Sequence, residues 1–172
     1  MKNADEQKNT GALSLRRHDI APVYDGNCTR LILGSFPSVL SSEAGFYYAH
    51  PQNRFWKVLA AVFGCPEPKS VEEKKTLLLS HGVALFDVIA SCEITGSSDS
   101  AIRNVVPNDI VPLLKNSHIM KIFVNGKTAE KFYNKYLRSQ TGIDCILLPS
   151  TSPANAAYSL EKLIFSWQII AR

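Results

Sequence analysis

Apolar positions along the chain follow two rhythms. Four short, dense runs, RLILG (30–34), VALFDVIA (83–90), KIFVNG (121–126) and CILLPS (145–150), are apolar at most positions. Such runs predict strands buried on both faces. Elsewhere the spacing lengthens to that of a helix. Phe55, Leu59, Val62 and Phe63 share one helical face, and Phe132, Tyr133, Tyr136 and Leu137 repeat the pattern more weakly. Leu160, Leu163, Ile164, Trp167 and Ile170 form a stripe behind Ser159, a residue type that caps helices. Short strands alternating with helices predict an α/β domain whose parallel sheet is covered on both faces.

A chain of 172 residues fits one domain. The polar N-terminus MKNADEQKNTGALSLRRHD lacks the apolar middle of a signal peptide, so residues 1–20 read as a mobile lead and 21–172 as the domain. No apolar run approaches the roughly 20 residues of a membrane span, and a cytoplasmic protein is expected. The net charge of +4 permits a polyanionic partner without demanding one. Cys28, Cys65, Cys92 and Cys145 are far apart and form no CxxC pair, which argues against a metal site and for reduced thiols.

Ligands of open parallel sheets bind beyond the carboxyl ends of the strands. Those ends carry GSFPS, DVIASCEITGSSDS, VNGK and PSTSPAN, all rich in small and amide-bearing residues. The first also opens an unusually long connection, Gly34 to Trp56, crowded with turn-formers and rings. Long connections inside compact domains are commonly functional or disordered, and aromatic residues argue against disorder.

LILGSFPS, YYAHPQNRFW, DVIASCEITGSSDSAIRNVVPND, VNGK and LPSTSPANAAYSLEKL, in that order, resemble the uracil-DNA glycosylase superfamily. The likeness is strongest to its hypoxanthine-DNA glycosylases, also called DNA-deoxyinosine glycosylases. HPQNRFW and SLEKL also resemble the mismatch-specific uracil and thymine glycosylases. The resemblance implies a three-layer α/β/α fold with a central four-stranded parallel sheet. It implies hydrolysis of the N-glycosidic bond of a deaminated base flipped out of DNA, hypoxanthine first and uracil second. No cofactor or metal is implied, and damaged DNA is the expected partner of a monomer. A non-catalytic binder of damaged DNA and a G/U mismatch-preferring uracil glycosylase are the alternatives.

The resemblance also suggests roles for single residues. In GSFPS, Phe36 stands where the superfamily has an Asp or Asn that positions the attacking water, so the turn's contribution is backbone: Gly34, Ser35 and Phe36 are candidate base contacts. A plain strand-to-loop turn is the competing reading. Tyr48 matches the aromatic that stacks on the extruded base, and Tyr47 reads as structural. Asn53 is the candidate catalytic residue, holding a water through its amide oxygen; as a good N-cap it also suits the helix that follows. Asn125 could read the base edge or serve the turn before Gly126. Lys127, Ser150, Thr151, Ser152 and Asn155 are candidate DNA contacts, with Asn155 or Tyr158 available to plug the gap left by the base. Ser150 and Ala154 replace the superfamily's catalytic histidine and wedge. His50 could donate a proton or be structural, and Asp99 could orient a water or bond its own backbone. His18, His81 and His118 have no supporting context.

Overall fold

The computed structural model describes residues 13–95 and 101–172. In chain order its elements are strand β1 (Leu13–Arg17), β2 (Arg30–Gly34), helix α1 (Val39–Ala44), α2 (Phe55–Phe63), α3 (Val71–Ser80), β3 (Val83–Asp87), β4 (Ile89–Thr95), β5 (Ile102–Pro107), α4 (Val111–Lys115), β6 (Lys121–Asn125), α5 (Lys127–Tyr136), α6 (Arg138–Thr141), β7 (Cys145–Leu148) and α7 (Leu160–Trp167), closed by a 3-10 turn at Gln168–Ala171.

The four dense apolar runs are the four strands of a parallel sheet in the order β3-β2-β6-β7. β2 lies between β3 and β6, with Leu31 beside Ala84 and Ile122, and Leu33 beside Phe86 and Val124. Leu31, Ile32 and Leu33 are fully buried, as helices on both faces require. α2 and α7 pack together, joining Phe55, Val58 and Leu59 to Leu163 and Trp167. α5 lies on β6 and β7 through Ala129, Phe132 and Tyr133. The result is the three-layer α/β/α arrangement. Ser159 caps α7, its side chain accepting from the Lys162 N–H. α3, which no apolar stripe advertised, begins instead with a capping box between Ser70 and Glu73.

A second sheet, antiparallel and ordered β1-β4-β5, departs from the expected architecture. The polar lead expected through residue 20 contains β1, paired in register with β4 from Leu13–Thr95 to Arg17–Ser91, and Ile20 is buried. Residues 1–12 lie outside the described residues. The run VALFDVIA, which reads as one strand, is two: β3 ends at Asp87 in the parallel sheet and β4 starts at Ile89 in the other. Asn108 fastens this junction, its Nδ2 donating to the carbonyls of both Asp87 and Ile89. Among the described residues, no helix is long and apolar enough to cross a membrane.

Candidate active site

The carboxyl ends of β3, β2, β6 and β7 present Asp87, Gly34, Asn125 and the Ser150–Pro153 loop beneath a cavity of about 350 Å³. The structure brings together Gly34, Ser35, Phe36, Tyr48, His50, Asn53, Asn125, Lys127, Ser150, Thr151 and Ser152 around it. The second sheet supplies another wall through Arg16, Ile94 and Ile102. Asn155 is not among the lining residues; its Nδ2 donates to the Ser150 carbonyl, shaping the loop. Asp99 lies outside the described residues.

Tyr48 stands on Phe55, ring centroids 3.9 Å apart and planes 17° from parallel. Phe55 is fully buried, so one face of Tyr48 is covered by the core while its residue lines the cavity. Its backbone is left-handed, with φ +53°, a conformation that costs a side-chain-bearing residue about 1–2 kcal/mol. The hydrogen bond from Asn125 Nδ2 to its hydroxyl, 3.1 Å, helps hold it there. Burial first, and the nearby charge of Asp87 second, push the phenol well above its usual pKa. Its hydroxyl therefore keeps its proton. Tyr47 is buried, bonded to the Ile20 and Ala21 carbonyls.

Thr151, fully buried, links the two asparagines. Its N–H donates to Asn125 Oδ1 at 3.1 Å, its hydroxyl accepts from Asn125 Nδ2 at 3.0 Å, and that hydroxyl donates to Asn53 Oδ1 at 3.0 Å. Asn53 Oδ1 also accepts the Phe55 N–H at 3.0 Å, at the start of α2. A backbone N–H can only donate, so the amide's orientation is unambiguous. Both lone pairs of Oδ1 are then engaged. The oxygen expected to hold a water is turned into the protein, and Nδ2, a donor, has no protein partner among the described residues. Asn125 is similarly engaged: both Nδ2 hydrogens have acceptors, and one Oδ1 lone pair remains.

Arg54, between Asn53 and Phe55, organises the opposite loop. Its guanidinium donates to the carbonyls of Thr151, Ser152, Asn155 and Tyr158. Its own N–H donates to the Thr151 carbonyl. His50 Nδ1 accepts the Gln52 N–H, a local turn contact.

His18 Nε2 meets Asp87 Oδ2 at 2.9 Å, with both side chains at most 5% exposed. The imidazole sits edge-on to Phe86 and Phe36, whose other neighbour is the Arg16 guanidinium. The pair spans 69 residues and two sheets, so nothing local in RRHD or LFDV announces it. The only available signal is a carboxylate inside an otherwise apolar run.

Independent comparisons agree with this arrangement. The family model described as the uracil DNA glycosylase superfamily matches residues 21–171. A hypoxanthine DNA glycosylase of Methanosarcina acetivorans is 33% identical over 152 residues, covering 87% of this chain and 94% of the relative. Another from Methanosarcina barkeri is 31% identical over 156 residues, covering 89% and 96%. The solution NMR structure of a Methanosarcina acetivorans protein assigned to the uracil DNA glycosylases superimposes with a TM-score of 0.76 at 29% identity, covering 92% of this chain and all of that one. With a match to the family across nearly the whole domain and strand-end loops that converge on one cavity, the chain belongs to the uracil DNA glycosylase superfamily.

Proposed function

We propose that the protein is a monofunctional DNA glycosylase that releases hypoxanthine from deoxyinosine, with uracil as a second substrate. The observation that carries this reading is the pairing of a core-backed ring, Tyr48, with an amide of fixed polarity, Asn53, in one cavity. A base extruded from the duplex stacks on the open face of Tyr48, a contact worth roughly 1–3 kcal/mol. The names of the curated relatives direct the choice of hypoxanthine.

Cleavage of the glycosidic bond leaves positive charge on the sugar and negative charge on the departing base. Asn53 Nδ2 serves the base: it donates to the acceptor next to the glycosidic nitrogen, N3 of a purine or O2 of a pyrimidine. A preorganised donor of this kind strengthens as charge develops. Water then adds to C1′, and the proton it loses balances the base that departs. Ser150, Ser152 and Lys127, which line the cavity, contact the phosphates. A DNA substrate suits an enzyme in the compartment that holds the genome.

Duplexes carrying a single inosine, a uracil or a G·T mismatch, treated with alkali after incubation, test the assignment. Strand breaks at inosine are expected, with weaker breaks at uracil. Binding without breaks on every duplex would make the protein a damaged-DNA binder; breaks confined to uracil opposite guanine would make it a mismatch uracil glycosylase.

A further inference from the structure

The cavity floor holds Asp87 Oδ1, an acceptor without a partner among the described residues. Asp87 Oδ2 is held by His18, while no group among the described residues donates to Oδ1. That oxygen lies over Gly34, only 2.3 Å from where a side-chain carbon on Gly34 would stand, and Tyr48 Oη is 2.9 Å from the same point. The Tyr48 hydroxyl accepts from Asn125, but its own proton has no acceptor among the described residues. Asn125 itself cannot donate to a ligand without breaking its bonds to Tyr48 and Thr151.

We propose that Asp87 reads the edge of the base stacked on Tyr48: its Oδ1 accepts the ring N–H that deamination creates. The inference rests on the glycosylase reading above and names the group that gives it specificity. Adenine carries a bare lone pair at N1, and cytosine one at N3. Deamination turns these into N–H groups next to a new carbonyl, at N1 of hypoxanthine and N3 of uracil. An ionised carboxylate accepts and never donates, so the unaltered bases meet lone pair against lone pair. An amide could turn over to suit either base; a carboxylate cannot. His18 is the positioning residue that keeps Asp87 Oδ1 aimed into the cavity, and Asn108 fixes the backbone on either side.

The test compares single-turnover release from duplexes carrying deoxyinosine or deoxynebularine, a purine with a bare N1 and no O6. The ratio of the two rates cancels any loss of folded enzyme. Wild type is expected to favour inosine. Asp87→Asn should compress the ratio by about 10- to 100-fold, as the loss of a charge-assisted hydrogen bond implies. A wild-type ratio in the folded variant overturns the proposal. A wild-type arm guards against a variant that fails to fold: 1-methyl-deoxyinosine keeps the carbonyl but lacks the N–H, and its release as fast as inosine also overturns the proposal. Wild-type enzyme that releases neither hypoxanthine nor uracil rejects the glycosylase reading itself, a result distinct from an unchanged ratio.

Discussion

The Thr151 hydroxyl donates to Asn53 Oδ1 at 3.0 Å, joining the loop after β7 to the start of α2 across 98 residues. The same hydroxyl accepts from Asn125 Nδ2, so one buried residue ties together two asparagines whose amides are each turned by a backbone N–H, that of Phe55 or of Thr151. Thr151→Val keeps the shape and deletes the relay. It should cost about 1–3 kcal/mol of stability, since Asn125 loses an acceptor in a buried setting. Base release should slow by about tenfold or more while DNA affinity changes little. Thr151→Ser, which keeps the hydroxyl, should stay near wild type. Stopped single-turnover assays with thermal melts decide the matter, and a Val variant as fast as wild type would remove Thr151 from the site.

The polarity imposed on Asn53 separates two roles that its identity alone leaves open. Asn53→Asp retains an oxygen for Phe55 and Thr151 but replaces the Nδ2 donor with a second acceptor. If Nδ2 donates to the departing base, Asn53→Asp should be nearly as slow as Asn53→Ala, both down by about 10²–10³-fold. Its melting temperature should stay closer to wild type than that of the alanine variant. Were Asn53 instead an acceptor for the attacking water, the aspartate would support release well. An active Asn53→Asp enzyme therefore rejects the donor role.

The parallel sheet was legible because its strands are buried on both faces, and density of apolar residues is a local property. The antiparallel sheet was not. β1 is LSLRR, largely exposed, and β5 is half-exposed IRNVVP, so neither forms an apolar run. The crossing from β3 to β4 leaves no mark either, since Leu85, Phe86, Val88 and Ile89 are all buried. For the site, the loops that line the cavity could be named from their position after strands and from family likeness. The tie from Asn53 to Asn125 runs through Thr151, 98 residues from Asn53, and the Asp87 contact depends on a histidine in the segment read as a mobile lead. Both are long-range hydrogen bonds, which residue type does not encode.

Arg54 gives its guanidinium to four carbonyls of the loop expected to meet DNA. A planar fork of donors suits several fixed acceptors at once; a lysine ammonium is a point charge on a flexible stem. Arg54→Lys should therefore loosen residues 150–158 while preserving charge. Weaker DNA binding, by about tenfold, and faster proteolysis within this loop are expected, whereas Tyr48 stacking on Phe55 is left intact. Binding titrations at matched salt test this, because both enzymes then carry the same electrostatic attraction. Unchanged affinity and unchanged proteolysis would show that the loop holds its shape without Arg54.

Gly34 is needed for space rather than for backbone freedom, since it is not among the positive-φ glycines. A methyl group there would stand 2.3 Å from Asp87 Oδ1 and 2.9 Å from Tyr48 Oη, closer than real side-chain carbons approach. Neither neighbour gives way freely: His18 holds Asp87 by its other oxygen, and Asn125 and Phe55 hold Tyr48. Gly34→Ala should thus displace both groups on the cavity floor, costing about 1–3 kcal/mol of stability by overpacking. Inosine cleavage should fall by at least about 100-fold, because a displacement near 1 Å at a reacting site is enough for that. Circular dichroism melts report the first effect and single-turnover release the second. A Gly34→Ala enzyme that cleaves inosine at the wild-type rate would mean that the base never reaches the floor where Asp87 and Tyr48 meet.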